Sequence, residues 1–210
     1  MEITWFGHSC FRIKGSKTTI ITDPYAPEPG ETPLKLTGDI VTVSHLDAGH
    51  SYVQAVSGKP HVIQGPGEYE IGGVLILGIP TFHDSSSGAE RGKNTVYLME
   101  IDEVSVLHCG DLGHMLNAAA IEEIGNVNVL LVPVGNKTTI GATTAAELVR
   151  RLEPKVVIPM HYHVKTFDAP FEPVDRFLNE VGVKEITPQP KLTTTRARLP
   201  LTTQVVLLDV

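Results

Sequence analysis

A chain of 210 residues, with 41% hydrophobic and 20% charged residues, has the make-up of a globular protein able to bury a substantial core in one domain, residues 1–210. Its formal net charge of −7 gives no long-range pull on polyanions, and no local basic stripe offsets it, which argues against a nucleic-acid partner. No apolar run reaches the ~20 residues that span a bilayer and no export signal opens the chain, so a cytoplasmic protein without a membrane partner is expected.

In chain order, apolar runs rich in Val, Ile and Leu fall at 18–22, 40–44, 74–79, 95–101, 104–107, 127–132, 155–159 and 204–209. Helical spacing marks 115–124, 142–152 and 173–181, with Pro173 suited to a first turn and Gly125 and Gly182 to helix ends. A further short helix is expected near His50. Asp102-Glu103 reads as a tight hairpin turn, and 84–94 (DSSSGAERGKN) as a flexible surface loop. Strands alternating with helices, together with hairpins, predict mixed sheets covered by helices rather than a purely parallel sheet.

The histidines matter by placement. His45 follows IVTVS, His83 follows LILGIPTF, Asp111 follows VSVLHCG and His161 follows VVIPM. Four groups able to bind a metal therefore sit just beyond the C-terminal ends of four apolar runs, where loops from different strands converge in layered folds. A single histidine after a strand is more often a hydrogen-bonded surface or core residue than a ligand. The ordered set points to a metal centre.

On these residues the chain resembles the metallo-β-lactamase superfamily, and within it compact Zn-dependent hydrolases similar to the ascorbate-6-phosphate lactonases. The resemblance is carried by WFGHSCFRI, ITDP at 21–24, VTVSHLDAGH at 41–50, GPGEYEIGGV at 65–74, HCGD at 108–111 and VVIPMHYH at 156–163. It implies a four-layer αββα sandwich with metals at one edge. The family's first motif, His-x-His-x-Asp-His, begins on His45 and ends on His50. Asp47 stands at the second His position and Gly49 at the Asp position. The later ligands fall on His83, Asp111 and His161.

The resemblance then implies one ion among His45, Asp47 and His83, and a second held by His50 and His161 with Asp111 bridging. Gly49 supplies no side chain, so the second seat loses an anionic ligand, and one tightly held ion is expected rather than two. Zinc is the first expectation. A carboxylate at Asp47 would shift preference towards manganese or iron. Catalysis would rest on Asp111 and Asp47, with His8, in the GHS turn, donating a hydrogen bond to substrate or acting only as a turn histidine.

Further residues have two readings each. Asp23 either orients a ligand histidine or closes a turn before Pro24. Arg91, Lys93 and Asn94 either recognise an anionic group or belong to a solvated loop. His108, His114 and His163 flank the candidate ligands, and His61 reads as structural. The two cysteines, Cys10 and Cys109, read as buried hydrophobes. No Gly-x-Ser-x-Gly and no phosphate-cradling loop occurs. The expected function is metal-dependent hydrolysis of a small anionic ester, lactone or phosphoester. The alternative is a non-catalytic relative that binds a ligand or one metal without turnover.

Overall fold

The computed structural model describes residues 1–27, 33–164 and 171–210. In chain order its strands and helices are β1 (Glu2–Trp5), β2 (Phe11–Lys14), β3 (Thr19–Thr22), β4 (Leu36–Thr37), β5 (Ile40–Val43), β6 (Val56–Ser57), β7 (His61–Gln64), β8 (Gly67–Ile71), β9 (Val74–Phe82), β10 (Lys93–Ile101) and β11 (Val104–His108). There follow α1 (Ala118–Ile124), β12 (Val129–Pro133), α2 (Ala142–Leu152), β13 (Val156–Met160), α3 (Asp175–Glu180), β14 (Leu192–Thr193) and β15 (Gln204–Val205).

Both main sheets are mixed. One has six strands in the order β14-β1-β2-β3-β5-β7, antiparallel up to β3 and parallel beyond it. The other has seven, β15-β13-β12-β11-β10-β9-β8, antiparallel across β8 to β11 and parallel from β11 to β15. Strand side chains alternate between faces. Ile20 and Ile40 accordingly join the large core between the sheets, while their neighbours Ile21 and Val41 join a smaller cluster with Leu36 and Val56. Strands β11, β12 and β13 are almost wholly buried, as parallel strands covered on both faces must be. Helix α2 supplies cover there through Ala145, Ala146, Leu148 and Val149.

The sandwich expected from the sequence is present, with local differences. The first helix begins at Ala118, not at residue 115, because the Asn117 side chain accepts the Ala120 N–H and caps it there. The third covers only Asp175–Glu180 of the expected 173–181. Near His50 there is no α-helix but a 3-10 turn, Val53–Ala55. Asp102 and Glu103 both have positive φ, 51° and 63°, and join Ile101 to Val104 as a two-residue turn whose twist suits a hairpin.

Candidate metal centre

Most candidate side chains leave from the end of a strand, while Asp47 and His50 lie in the turn that follows β5. His8 follows β1, Asp23 follows β3, Ser44 and His45 follow β5, His83 follows β9, Asp111 follows β11, and His161 follows β13. Asp111 is the hub and is 3% exposed. Its Oδ2 lies 3.3 Å from His50 Nε2 and 3.1 Å from His83 Nε2, and its Oδ1 lies 3.3 Å from His161 Nε2.

Two groups of three share this carboxylate: His45, His83 and Asp111, and His50, Asp111 and His161. In each, one donor atom per residue lies within 4.8 Å of the others. The rings lie close and tilted to one another, with His45 4.4 Å from His50 and 4.7 Å from His83 between centroids. Imidazole nitrogens and one carboxylate at this spacing are a donor set that fits a divalent transition ion. One orphaned atom supports the fit. His83 Nε2 is buried and makes no aligned hydrogen bond, although Asp111 Oδ2 is 3.1 Å away. Such a nitrogen satisfies itself by binding a cation. His45, His83 and Asp111 would hold one ion and His50, Asp111 and His161 the other.

The ligands are themselves held. Asp23, fully buried, accepts from the Ser44 N–H at 2.8 Å and the Ser44 hydroxyl at 2.5 Å, and meets His50 Nδ1 at 3.0 Å. It therefore orients His50 directly, and the turn before Pro24 is not its only role. Asn94 is buried. Its Nδ2 donates to Thr81 Oγ1 and to the Cys109 carbonyl, while its Oδ1 accepts the Asp111 N–H at 3.0 Å. Neither sequence reading of Asn94, anion binder or solvated loop residue, holds: the side chain is buried and spent on fixing the Asp111 loop. Gly113 lies so close to the His83 loop that a Cβ there would fall 2.2 Å from the Asp84 nitrogen. Gly110 likewise abuts Ser44 and Asn94.

Asp47 stands apart from both groups. It is exposed, and its Oδ1 accepts the N–H of Gly49 at 2.9 Å, closing its own turn. The expectation that it joins His45 and His83 is not met by this geometry, where Asp111 takes that place. His8 is half-buried, 4.9 Å from Tyr25 and 6.0 Å from His161 between ring centroids. Its carbonyl accepts both Trp5 Nε1–H and the His161 N–H, tying the GHS turn to the His161 loop. His8, Asp23 and His161 all have positive φ, at 46°, 39° and 52°, strained backbone of the kind that clusters at functional sites.

Charge follows the geometry. Burial works against a proton on His50, yet Asp111 and Asp23 on its two nitrogens push it up to about 10. Burial, reinforced by neighbouring imidazoles, lowers both His45 and His8 to about 4. Burial alone would raise Asp111, but the His161 and His50 rings outweigh it and hold the carboxylate well below its usual range.

The remaining residues fall outside the groups. His108 is buried and Nε2 meets the Ser9 carbonyl at 2.9 Å. His114 is fixed between the Phe82 N–H and the Met115 carbonyl, and His61 and His163 are exposed. Loop 84–94 is not the loose segment its composition suggests. Asp84 accepts the N–H groups of Ser86, Gly88, Glu90 and Arg91 within 3.1 Å. Arg91 and Lys93 then line a cavity of about 540 Å³ beside His45, with Leu46, Gln64 and Pro66.

A family model described as a beta-lactamase superfamily domain matches residues 2–161. A metal-dependent hydrolase of Thermococcus kodakarensis is 29% identical over 191 residues, spanning 78% of this chain and 85% of its own. One from Methanoculleus marisnigri is 30% identical over 200 residues, spanning 84% and 87%. Among solved structures, a Thermotoga maritima protein described as a candidate Zn-dependent hydrolase of the metallo-β-lactamase superfamily aligns at TM-score 0.82 and 41% identity, covering 99% of this chain and 97% of that one. With the matched residues including the whole histidine and aspartate cluster, the chain belongs to the metallo-β-lactamase superfamily, alongside relatives named metal-dependent hydrolases.

Proposed function

We propose that the protein hydrolyses a small anionic ester, lactone or phosphoester at a centre built on Asp111. The observation that carries the reading is the convergence of His50, His83 and His161 on that one buried carboxylate at 3.1–3.3 Å. A bound divalent ion would supply a water acidified towards neutrality and a Lewis acid for the carbonyl or phosphoryl oxygen. Zinc suits the imidazole-rich donor set best, and manganese or iron loses its main argument once Asp47 faces away.

The half-open group, His45, His83 and Asp111, borders the cavity and is the natural seat for a hydrolytic ion, since catalytic sites keep a coordination position open. One ion held more tightly than a second follows from charge: Asp111 is the only carboxylate in either group, and Gly49 adds none. Arg91 and Lys93 at the cavity wall provide the positive charge that an anionic substrate needs, and Leu46, 80% exposed, offers it an apolar contact. His8, neutral near pH 7, serves as a hydrogen-bond donor to substrate from the opposite side of His161.

Elemental analysis of protein purified without added metal tests the reading. About one tightly bound zinc is expected, with Asp111→Ala losing it and any esterase or phosphatase activity falling ~10³-fold, the equivalent of ~4 kcal/mol of lost metal assistance. Metal-free wild type of undiminished stability after Asp111→Ala sinks the proposal.

The outward Asp47 and the bare Gly49 favour a second reading, a binding protein without turnover. A Cβ at Gly49 would meet only Asp47 Oδ1, at 3.2 Å, so Gly49→Asp fits with a small shift of that carboxylate. If Gly49→Asp with Asp47→His creates activity that the native chain lacks, the second reading wins.

A further inference from the structure

We propose that the Ser44 hydroxyl relays the Asp23 carboxylate to His45, so that one buried charge fixes the ring and tautomer of a histidine in each group of three. The distances define a branched chain. Asp23 Oδ2 meets His50 Nδ1 at 3.0 Å and Ser44 Oγ at 2.5 Å, and Ser44 Oγ lies 3.1 Å from His45 Nδ1. Asp23 Oδ1 accepts the Ser44 N–H at 2.8 Å, which locks the serine in place.

A hydroxyl has one proton to give. The shorter contact leads to an ionised oxygen, the stronger acceptor, so the Ser44 proton points to Asp23. His45 Nδ1 must then be the donor to Ser44 Oγ. That leaves the Nε2 lone pair of His45 free to turn towards a cation. On the other branch His50 Nδ1 donates to Asp23, and its Nε2 faces Asp111 at 3.3 Å. Both rings thus keep a proton on Nδ1 because of the same carboxylate, one directly and one through a hydroxyl.

Two consequences separate the residues. Removing Asp23 should disturb both histidines, whereas removing the Ser44 hydroxyl should release His45 alone. Ser44 is a positioning residue that acts through His45. Its effect on metal binding rests on the proposed function, while the tautomer claim stands on the hydrogen bonds alone.

Long-range ¹H–¹⁵N NMR of the full-length, chelator-treated protein reads the tautomers, with His45 assigned by its loss in His45→Gln. Wild-type His45 and His50 should both be protonated on Nδ1, His45 there alone. Ser44→Ala should move His45 towards the Nε2–H form with His50 unchanged, and Asp23→Asn should shift both. Ser44→Cys, a near-isosteric and much weaker donor, carries the same expectation should the alanine variant fail to fold. Wild-type His45 protonated on Nε2, or a His45 spectrum indifferent to Ser44, overturns the relay.

A Zn²⁺ titration against a chromophoric chelator gives the second readout. The zinc abolished by His45→Ala should bind about 10–100-fold more weakly in Ser44→Ala, as expected for a partner behind a ligand. Equal affinity in Ser44→Ala and wild type overturns the link to metal. A wild type that takes up no zinc defeats the functional reading, and the NMR spectra alone then decide whether the relay stands.

Discussion

The two groups that share Asp111 are built differently. His50, Asp111 and His161 are all buried, with Asp23 behind His50 and the His8 carbonyl holding the His161 main chain. His45 is half-open and lines a cavity with Arg91 and Lys93 on its wall, with the His83 ring 4.7 Å from its own. Both halves use the same chemistry, yet one is embedded in the protein's own polar network and the other is left for something from solvent. Position along the rim therefore decides role more than residue type does.

The comparison can be broken most severely at His50. Without metal, His50→Ala leaves Asp23 and Asp111 buried without their shared partner, and a loss of about 3–5 kcal/mol in urea unfolding is expected. His45→Ala, on the open side, should cost less than half as much. Equal costs would erase the distinction.

Gly113→Ala probes the open half from behind. The added methyl would drive into the His83–Asp84 peptide, and overpacking of this kind costs about 1–3 kcal/mol. Bound metal should fall with it, whereas Gly125→Ala, at an open helix end, should leave the metal untouched.

Acidity separates His50 from His45 by sign. His50 is held near 10 in the fold and titrates at ~6.5 when unfolded, so its contribution is complete below ~6.5 and is lost as pH rises through about 10. His45 and His8 are held near 4, so they withdraw stability as pH falls from ~6.5 towards 4. The metal-free protein should be most stable near pH 6.5, by urea unfolding in a chelator. His45→Gln should flatten only the acid limb, and an unchanged acid limb would refute the assignment. The smallest effect belongs to Asp47→Ala, which should change stability by no more than about 1 kcal/mol and leave metal content unaltered.

Much of this was legible in the sequence because strand ends are. His45, His83, Asp111 and His161 each follow a run of apolar residues, and such runs are what a buried strand requires. Strand β8 was not legible. No apolar run marks Gly67–Ile71, since an edge strand need not be apolar. The αββα pattern was also leaner than expected, because among the described residues the outer side of the six-stranded sheet is covered by the β4–β6 ribbon and a 3-10 turn.

Within the site, Asp47 was misplaced for a simple reason. Motif spacing gives a residue's address but not the direction of its side chain, and a nearby main-chain N–H captured the carboxylate. Ser44 and Asn94 carry no such signal at all. A serine before a histidine and an asparagine in a polar loop look ordinary until the fold shows what they face.

Asp84 gives the rim a useful property. Because its carboxylate gathers four main-chain N–H groups, the path of residues 85–91 does not depend on the side chains of Ser85, Ser87 or Ala89, which are exposed. Substitutions there can redecorate the loop that carries Arg91 to the cavity wall while the histidine cluster keeps its shape. Evolution, or an engineer, can thus retune selectivity at this border without reopening the question of how the centre is assembled.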